Sequence, residues 1–158
     1  MSIFQDYSVN VDPKSRLIMI LYRSGNLLYR KRKKISPLPY YLFQVFYRVL
    51  VEWVFCVELP LKTRVGKRLS IYHGFGLVVN PKVTLGNNIK LRNGVVIGNN
   101  GKSKTGSPVI EDNVDIGANA VVIGEITIGY NTKIGAGTVV TKTIESNKVV
   151  VSGKVRIL

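Results

Sequence analysis

The chain has 158 residues, enough for one domain with a hydrophobic core and a small appendage. Apolar residues make up 46% and charged residues 20%, a balance that excludes a wholly disordered chain. Lysine and arginine outnumber aspartate and glutamate by 23 to 9, and the resulting net charge of +14 indicates an anionic partner: nucleic acid, a phosphorylated ligand or a membrane surface.

The sequence contains a single cysteine and a single histidine, Cys56 and His73. A lone cysteine excludes a disulfide framework within the chain and favours a reducing compartment. A lone histidine excludes a metal site that takes two or three histidine ligands from one chain. The residues after Met1 lack the basic start and apolar core of a secretory signal, so we expect a cytoplasmic protein.

Residues 1–56 are predicted to form an α-helical region with two helices, because they contain only one of the 15 glycines. Asp12-Pro13 has the pattern of a helix N-cap followed by a first-turn proline. A first helix is therefore expected from this point to about Lys34, where the Ser36-Pro37 step ends it.

The second apolar stretch, residues 40–55, is predicted to be a helix that packs against the rest of the chain or a neighbouring subunit. Its polar residues Gln44, Arg48 and Glu52 recur every four positions and share one helical face. A bilayer-spanning helix needs about 20 mostly apolar residues. This stretch is shorter and carries a polar stripe, so we do not expect it to span a membrane.

Five consecutive cations, from Arg30 to Lys34, lie between the two predicted helices. One interpretation is a solvated helix end, where cations interact favourably with the helix dipole. The other is a peripheral contact with anionic lipid headgroups at the inner face of the membrane, assisted by the aromatic helix that follows. The sequence leaves both interpretations open.

A six-residue repeat of aliphatic residues dominates the rest of the chain. It predicts a parallel β-helix over residues 57–143, in which three six-residue units form one coil and like residues stack from coil to coil. A C-terminal tail is expected over residues 144–158. The repeat positions are Leu59, Val65, Ile71, Val79, Leu85, Leu91, Ile97, Ile110, Ile116, Val122, Ile128, Ile134 and Val140.

The repeat is interrupted twice. The step from Ile71 to Val79 is eight residues, and the step from Ile97 to Ile110 is thirteen. Insertions in a repeat array form loops, and such loops often build the binding face. We therefore expect a loop over residues 98–109 that leaves the coil.

His73 lies at the first interruption, and Glu58 precedes it by fifteen residues. Because one coil is about 18 residues, these two side chains are predicted to be near neighbours. A carboxylate beside an imidazole fixes its tautomer and stabilises the imidazolium, which is the arrangement a general base needs. A structural histidine is the alternative interpretation.

Four sequence motifs resemble the acetyl-CoA-dependent hexapeptide-repeat acyltransferases, and within them the serine acetyltransferase branch. They are VELPLKTRVGKRLSIYHGFG, IGNNGK, IGANAVVIG and IGAGTVV. The whole chain most resembles the short O-acetyltransferases of colanic-acid and exopolysaccharide type. This resemblance implies a mainly β fold with a left-handed parallel β-helix, acetyl-CoA as co-substrate, no metal, no nucleic acid, and a homotrimer with shared active sites.

The resemblance also implies a role for individual residues. His73 matches the general base, Glu58 matches the acid that orients it, and Asn99 stands where a backbone N–H approaches the thioester carbonyl. Tyr72 and Ser107 are the expected acceptor-binding residues. The expected cofactor-binding residues are Gly98, Asn99, Lys102, Gly117, Ala118, Gly135, Ala136, Lys154 and Arg156.

Two departures from the serine enzymes indicate the acceptor. Those enzymes have Asp-Arg-His-Pro where this chain has Thr105-Gly106-Ser107-Pro108, so the cation for an amino-acid carboxylate is missing. They also have Asp where this chain has Tyr72. Both changes favour a sugar hydroxyl of an exopolysaccharide or capsule precursor. The basic and aromatic N-terminal region slightly favours a lipid-linked saccharide as this acceptor. Serine O-acetylation and a non-catalytic scaffold or nucleic-acid-binding role are the alternatives.

Overall fold

Within residues 2–34, 36–101 and 106–153, which are those the computed structural model describes, two α-helices precede fourteen short β-strands. A 3₁₀ turn at Tyr7–Val9 leads into α1 (Pro13–Lys31), and α2 (Leu38–Tyr47) continues as a π-helical segment, Arg48–Val54. The strands are β1 (Val57–Glu58), β2 (Arg64–Val65), β3 (Ser70–Tyr72), β4 (Leu77–Val79), β5 (Thr84–Leu85), β6 (Lys90–Arg92), β7 (Val96–Gly98), β8 (Val109–Ile110), β9 (Asp115–Ile116), β10 (Val121–Ile123), β11 (Thr127–Ile128), β12 (Lys133–Ile134), β13 (Val139–Val140) and β14 (Val149–Val150).

The strands form three parallel sheets. Sheet A has the order β1-β4-β7-β10-β13, sheet B has β2-β5-β8-β11, and sheet C has β3-β6-β9-β12-β14. The chain visits A, B and C in turn, so each of the first four circuits adds one strand to every sheet, and the last adds β13 to sheet A and β14 to sheet C. This is a parallel β-helix of about four coils, and the fold predicted from the six-residue repeat is confirmed.

Strand register locates the insertions. Val78 pairs with Val96, 18 residues further on, which is the regular coil length. Val57 pairs with Leu77 at a spacing of 20, and Val96 pairs with Val121 at a spacing of 25. The extra residues lie at the two predicted interruptions. Beyond residue 143, β14 pairs with β12, so coil structure extends into the segment expected to be a tail.

The core is a stack of the repeat side chains. All thirteen repeat positions are buried, as are Leu69, Val83, Ile89 and Val95, which lie four residues after a repeat position. Sheets that bury one face over several coils gain stability roughly in proportion to the apolar area removed from water. The aliphatic repeat therefore forms the interior of the β-helix, as predicted.

Asparagines support the turns between sheets B and C. Asn88, Asn113, Asn131 and Asn147 have φ values from 55° to 61°, a left-handed conformation that asparagine tolerates better than most residues. The Asn88 amide donates to the Asn113 side-chain oxygen at 2.7 Å, and the Asn131 amide donates to that of Asn147 at 2.9 Å. These side chains link successive coils at one edge of the prism.

The helices cap the open end of the first coil. Tyr22 and Tyr47 donate their hydroxyls to the carbonyls of Thr63 and Leu59 at 2.7 and 2.9 Å. The Asn10 side chain bridges the same edge, since its amide donates to the Leu69 carbonyl and its oxygen accepts from the Ile71 N–H, both at 2.8 Å. Unpaired backbone groups at a sheet edge invite association, and here side chains satisfy them.

Gly25 explains why α1 can lie so close to this coil. A Cβ at this position would stand 2.6 Å from a Leu61 methyl carbon and 2.8 Å from the Phe43 ring. Any side chain larger than glycine would push α1 away from Leu61 and Phe43. The helix is continuous through Gly25. No helix in the described ranges 2–34, 36–101 and 106–153 is long and apolar enough to cross a membrane.

Candidate active site

Two edges of the prism carry most of the predicted functional residues. The C–A edge comprises the segments that join sheet C to sheet A: residues 73–76, 93–95, 117–120 and 135–138. The A–B edge comprises the segments that join sheet A to sheet B, including the described residues 99–101 and 106–108. One face of the prism, sheet A, separates them.

His73 is the first residue of the C–A edge and follows directly on β3. Its side chain is exposed, and its backbone has a φ of 57°, in the left-handed region that costs a non-glycine residue free energy. The next residue, Gly74, is buried, and a Cβ there would lie 2.8 Å from the Ile71 side chain. The local backbone therefore turns His73 outward while the core closes beneath it.

The charge of His73 acts on Asp12, the residue directly before α1. Asp12 caps that helix by accepting the Ser15 N–H at 2.8 Å. Partial burial raises the pKa of the Asp12 carboxyl, but the hydrogen bonds from Ser15 and the charge of His73 outweigh it, so the pKa lies below its ordinary value. The N-terminus of α1 thus places a carboxylate in the electrostatic surroundings of His73.

Glu58 lies in a different setting. It is an exposed residue of β1 and borders a cavity of about 330 Å³ between the second helix, with its π-helical segment, and the start of the β-helix. The cavity is lined by Tyr40, Gln44, Tyr47, Arg48, Glu52, Glu58, Pro60, Leu61, Lys62 and Pro81. Among the described residues, no hydrogen bond or ion pair joins Glu58 to His73. Sequence spacing placed the two residues on neighbouring coils, and the structure supplies no direct contact between them.

A second carboxylate in this cavity is sensitive to Glu58. Burial raises the pKa of Glu52, Arg48 lowers it, and the nearby charge of Glu58 raises it further, so the net direction is upward. Arg48 and Glu52 face each other at 3.4 Å, the pairing expected from their spacing of four residues. The cavity is therefore polar and contains groups of both signs.

The small residues predicted to contact the cofactor share the C–A edge with His73. Gly117-Ala118 and Gly135-Ala136 follow β9 and β12, two and three coils beyond β3. With neighbouring strands about 4.8 Å apart, they lie about 10 and 14 Å along the prism from the His73 turn. The Gly137 N–H donates to the Ala118 carbonyl at 2.8 Å, which stacks the two segments directly. A narrow strip of small side chains thus leads away from His73.

The predicted oxyanion and acceptor residues of the long loop lie at the other edge. Gly98 ends β7, and partly buried Asn99 follows it. Ser107 lies just before β8, where its buried hydroxyl has no hydrogen-bond partner among the described residues, and it lines a groove of about 320 Å³ with Glu125 and Thr127. In one chain, the full width of sheet A, on the order of 10 Å, separates these residues from His73.

Three predicted cofactor contacts fall on residues that the structure does not describe. Lys102 lies between the described ranges 36–101 and 106–153, and Lys154 and Arg156 follow the last described residue. Their roles stay predictions.

Sequence reasoning missed a polar chain beside Tyr72. Tyr72 pairs in register with Arg92, whose guanidinium carbon lies 5.5 Å from the centre of the tyrosine ring. Arg92 in turn pairs with Asp115 on the next coil. A count of one coil, 20 residues, from Tyr72 could have found Arg92. Asp115 is the register partner of Lys90 and so lies diagonally across from Arg92 on the next coil, where a count of whole coils from Tyr72 does not reach it.

We also looked at the side chains that could bind a metal ion. In the described ranges 2–34, 36–101 and 106–153, no cluster of three or more histidine, cysteine, aspartate or glutamate side chains could hold an ion.

The chain is similar in sequence and in structure to known proteins. The family model for the bacterial transferase hexapeptide (six repeats) matches residues 107–142. A protein of Escherichia coli K12 that is named as a colanic acid biosynthesis acetyltransferase, WcaB, is 34% identical over 142 residues, covering 89% of this chain and 88% of its own length. This chain belongs to the hexapeptide-repeat acyltransferase family. The predicted family and enzyme class are confirmed.

Serine acetyltransferases are also similar. The Staphylococcus aureus enzyme is 41% identical over 96 residues, which cover 60% of this chain and 45% of the enzyme. The Brucella abortus enzyme, solved in complex with coenzyme A, superposes with a TM-score of 0.75 at 29% identity and covers 92% of this chain. The chain spans 56% of that structure and 57% of the Entamoeba histolytica isoform 3 structure, which has a TM-score of 0.77 at 26% identity.

Proposed function

We propose that this protein transfers acetyl from acetyl-CoA to a sugar hydroxyl of an exopolysaccharide or capsule precursor in the cytoplasm. The observation that carries the proposal is the shared C–A edge, where the chain's only histidine heads a strip of small residues. The near full-length similarity to a protein named for colanic acid biosynthesis supports the acceptor class. The coenzyme A bound in a Brucella abortus relative supports the donor.

The chemistry is a direct transfer. His73 accepts the proton of the acceptor hydroxyl while the hydroxyl oxygen attacks the thioester carbonyl carbon. A new C–O bond forms, the C–S bond breaks, and the thiolate of coenzyme A leaves and takes the proton from His73. Backbone N–H groups near Asn99 stabilise the negative charge on the carbonyl oxygen. The small residues at Gly117-Ala118 and Gly135-Ala136 give the pantetheine arm room to lie along the prism.

The carboxylate that assists His73 is part of this proposal. Spacing and resemblance assign that role to Glu58, which lies near the start of sheet A. Asp12 is a second carboxylate whose pKa responds to the His73 charge. Replacing each with the matching amide separates them, because only the true partner lowers kcat without changing the KM for acetyl-CoA.

In this proposal the protein is a homotrimer with shared active sites, and contact between subunits brings His73 and Asn99 together. His73 and Asn99 lie on opposite edges of sheet A in one chain. A rotational trimer joins unlike surfaces, so it sets the A–B edge of one protomer beside the C–A edge of the next. Mixed trimers of His73→Ala and Asn99→Pro protomers test this arrangement. Activity above either parent shows complementation between subunits, and its absence contradicts the shared site.

Serine O-acetylation is the second candidate, favoured by 41% identity to the Staphylococcus aureus serine acetyltransferase over 96 residues. Residues 105–108 argue against it, because they lack the cation that a serine carboxylate would need. Thiol release from acetyl-CoA decides between them when L-serine, UDP-sugars and oligosaccharides are offered separately. Sugar-dependent release that disappears in His73→Ala supports the proposal, and serine-dependent release overturns it.

A further inference from the structure

The outer face of the second helix is apolar although its side chains are exposed. We call the following set the apolar stripe: Leu38, Tyr41, Leu42, Val45, Phe46, Val49 and Trp53. Leu42 and Val45 are each 65% exposed, and Trp53 is 69% exposed. Their spacing of three and four residues places them on one side of α2 and the π-helical segment.

The opposite side of the same helix is already used. Tyr40, Tyr47 and Val51 are buried there, and the Tyr47 hydroxyl binds the first coil. The helix is therefore apolar on both sides, a pattern that is typical of helices covered on both sides. An exposed apolar strip on the order of 20 Å long marks an interaction surface.

A cluster of cations precedes this stripe in the chain. The basic cluster, Arg30, Lys31, Arg32, Lys33 and Lys34, covers the end of α1 and the residues that follow it, and all but Arg32 are exposed. The Arg32 guanidinium lies 3.7 Å from the Tyr29 ring centre and 5.9 Å from that of Tyr40, which holds the cluster at the start of α2. Residues 13–51 include nine lysines and arginines and no aspartate or glutamate.

We propose that the apolar stripe and the basic cluster together form a docking face for an anionic phospholipid bilayer, with the stripe inserted among the acyl chains near the headgroups. Aromatic and aliphatic side chains beside lysine and arginine are what an interfacial helix requires. Two copies of this face would oppose like charges, which disfavours a symmetric contact between protomers. The proposal goes beyond acetyl transfer and does not depend on it.

Trp53 provides a direct probe, because it is the only tryptophan in the chain. The full-length protein is mixed with vesicles of pure phosphatidylcholine or of phosphatidylcholine with phosphatidylglycerol at low salt. We expect the Trp53 emission to shift to the blue with the anionic vesicles alone and to be quenched by brominated acyl chains. Unchanged emission, or binding without quenching, overturns insertion of the stripe.

Matched variants assign the binding to its two parts. Leu42→Gln with Val45→Gln removes apolar contacts, and Lys31→Gln with Lys33→Gln and Lys34→Gln removes three charges. The latter is expected to lower the vesicle partition coefficient by about tenfold or more. The control removes three exposed coil lysines, Lys67, Lys133 and Lys142. An equal loss of vesicle binding in the control would show that binding depends only on net charge, and it would overturn the proposal.

Oligomeric state separates a bilayer from a second copy of the chain. Light scattering of the Leu42→Gln/Val45→Gln variant should give the same mass as the unaltered protein. A smaller assembly would show that the stripe is a contact between subunits, and it would overturn the bilayer assignment. Sugar acetylation in the absence of vesicles is measured alongside, so failure of this proposal remains distinct from failure of the proposed activity.

Discussion

Arg23 and Asp6 form an ion pair at 2.6 Å in which each side chain is only 1% exposed. Arg23 also donates to the carbonyls of Val65 and Gly66 at 3.0 and 2.5 Å, and Asp6 accepts the Leu69 N–H at 3.0 Å. The pair thus joins the N-terminal segment, α1 and the edge of the first coil. Every charge in this cluster has a partner, which is the condition for burying it.

Removing one member of this pair is expected to destabilise the protein strongly. Arg23→Met leaves the Asp6 charge buried without its partner, and such losses are about 3–5 kcal/mol. Chemical denaturation measures the change in the free energy of unfolding. The matched control is Lys148→Met, which breaks the exposed Lys148–Glu145 pair and should change it by less than about 1 kcal/mol. Equal effects in both variants would contradict a structural role for the buried pair.

The two tyrosine caps should contribute separately. Tyr22→Phe and Tyr47→Phe each remove one hydrogen bond to a coil carbonyl, and each is expected to lower the free energy of unfolding by about 1 kcal/mol. Tyr41→Phe serves as control, because Tyr41 is exposed on the outer side of α2. If Tyr41→Phe destabilises as much as Tyr47→Phe, the caps do not hold the first coil.

Much of this fold follows from the sequence. The aliphatic repeat from Leu59 to Val140 fixes the coils, because a six-residue period leaves only one way to bury like residues together. The two interruptions locate the His73 turn and the long loop. The caps by Tyr22, Arg23 and Tyr47 were not predicted, since a hydrogen bond between a helix side chain and a distant coil carbonyl leaves no periodic signal.

The candidate site is predictable in its parts and not in its geometry. Repeat counting places His73 and the segments at Gly117 and Gly135 on one edge. The same counting places Glu58 and His73 on neighbouring coils. Contact also depends on the direction of each side chain, which counting does not give. Glu58 borders the cavity that Glu52 also lines. The influence of His73 on Asp12 depends on how α1 docks, which spacing does not reveal.

Glu52 should make stability depend on pH. Burial raises its pKa, and Glu58 adds to the effect, so ionisation of Glu52 in the folded protein costs free energy. A carboxyl whose pKa is higher in the folded than in the unfolded protein lowers the free energy of unfolding at pH values above that pKa. The effect disappears as the pH falls, because the carboxyl is then protonated in both states. Glu52→Gln is therefore expected to be more stable than the unaltered protein at pH 7.

Thermal unfolding between pH 7 and about pH 4 tests this prediction. The difference in melting temperature between Glu52→Gln and the unaltered protein should shrink as the pH falls. Glu145→Gln is the control, since the side chain of Glu145 is 85% exposed. A gap for Glu52→Gln that stays constant with pH would contradict the assigned cause.

The strip of small residues should control donor binding. Ala136→Leu adds bulk at an exposed position on the C–A edge and is expected to raise the KM for acetyl-CoA about tenfold while the melting temperature stays unchanged. Ser146→Leu places the same side chain on an exposed turn between sheets B and C and should leave the KM alone. A similar KM for acetyl-CoA in the two variants would contradict binding of the donor at the C–A edge.

Transfer of isotopically labelled acetyl from acetyl-CoA to a saccharide acceptor tests the central claim most directly. The unaltered protein, His73→Gln and His73→Ala are compared by product analysis, and circular dichroism confirms that each variant is folded. The account predicts an O-acetylated sugar from the unaltered protein and a loss of about a hundredfold or more in kcat in both variants. Sugar acetylation at an undiminished rate by a folded His73→Ala protein would contradict it.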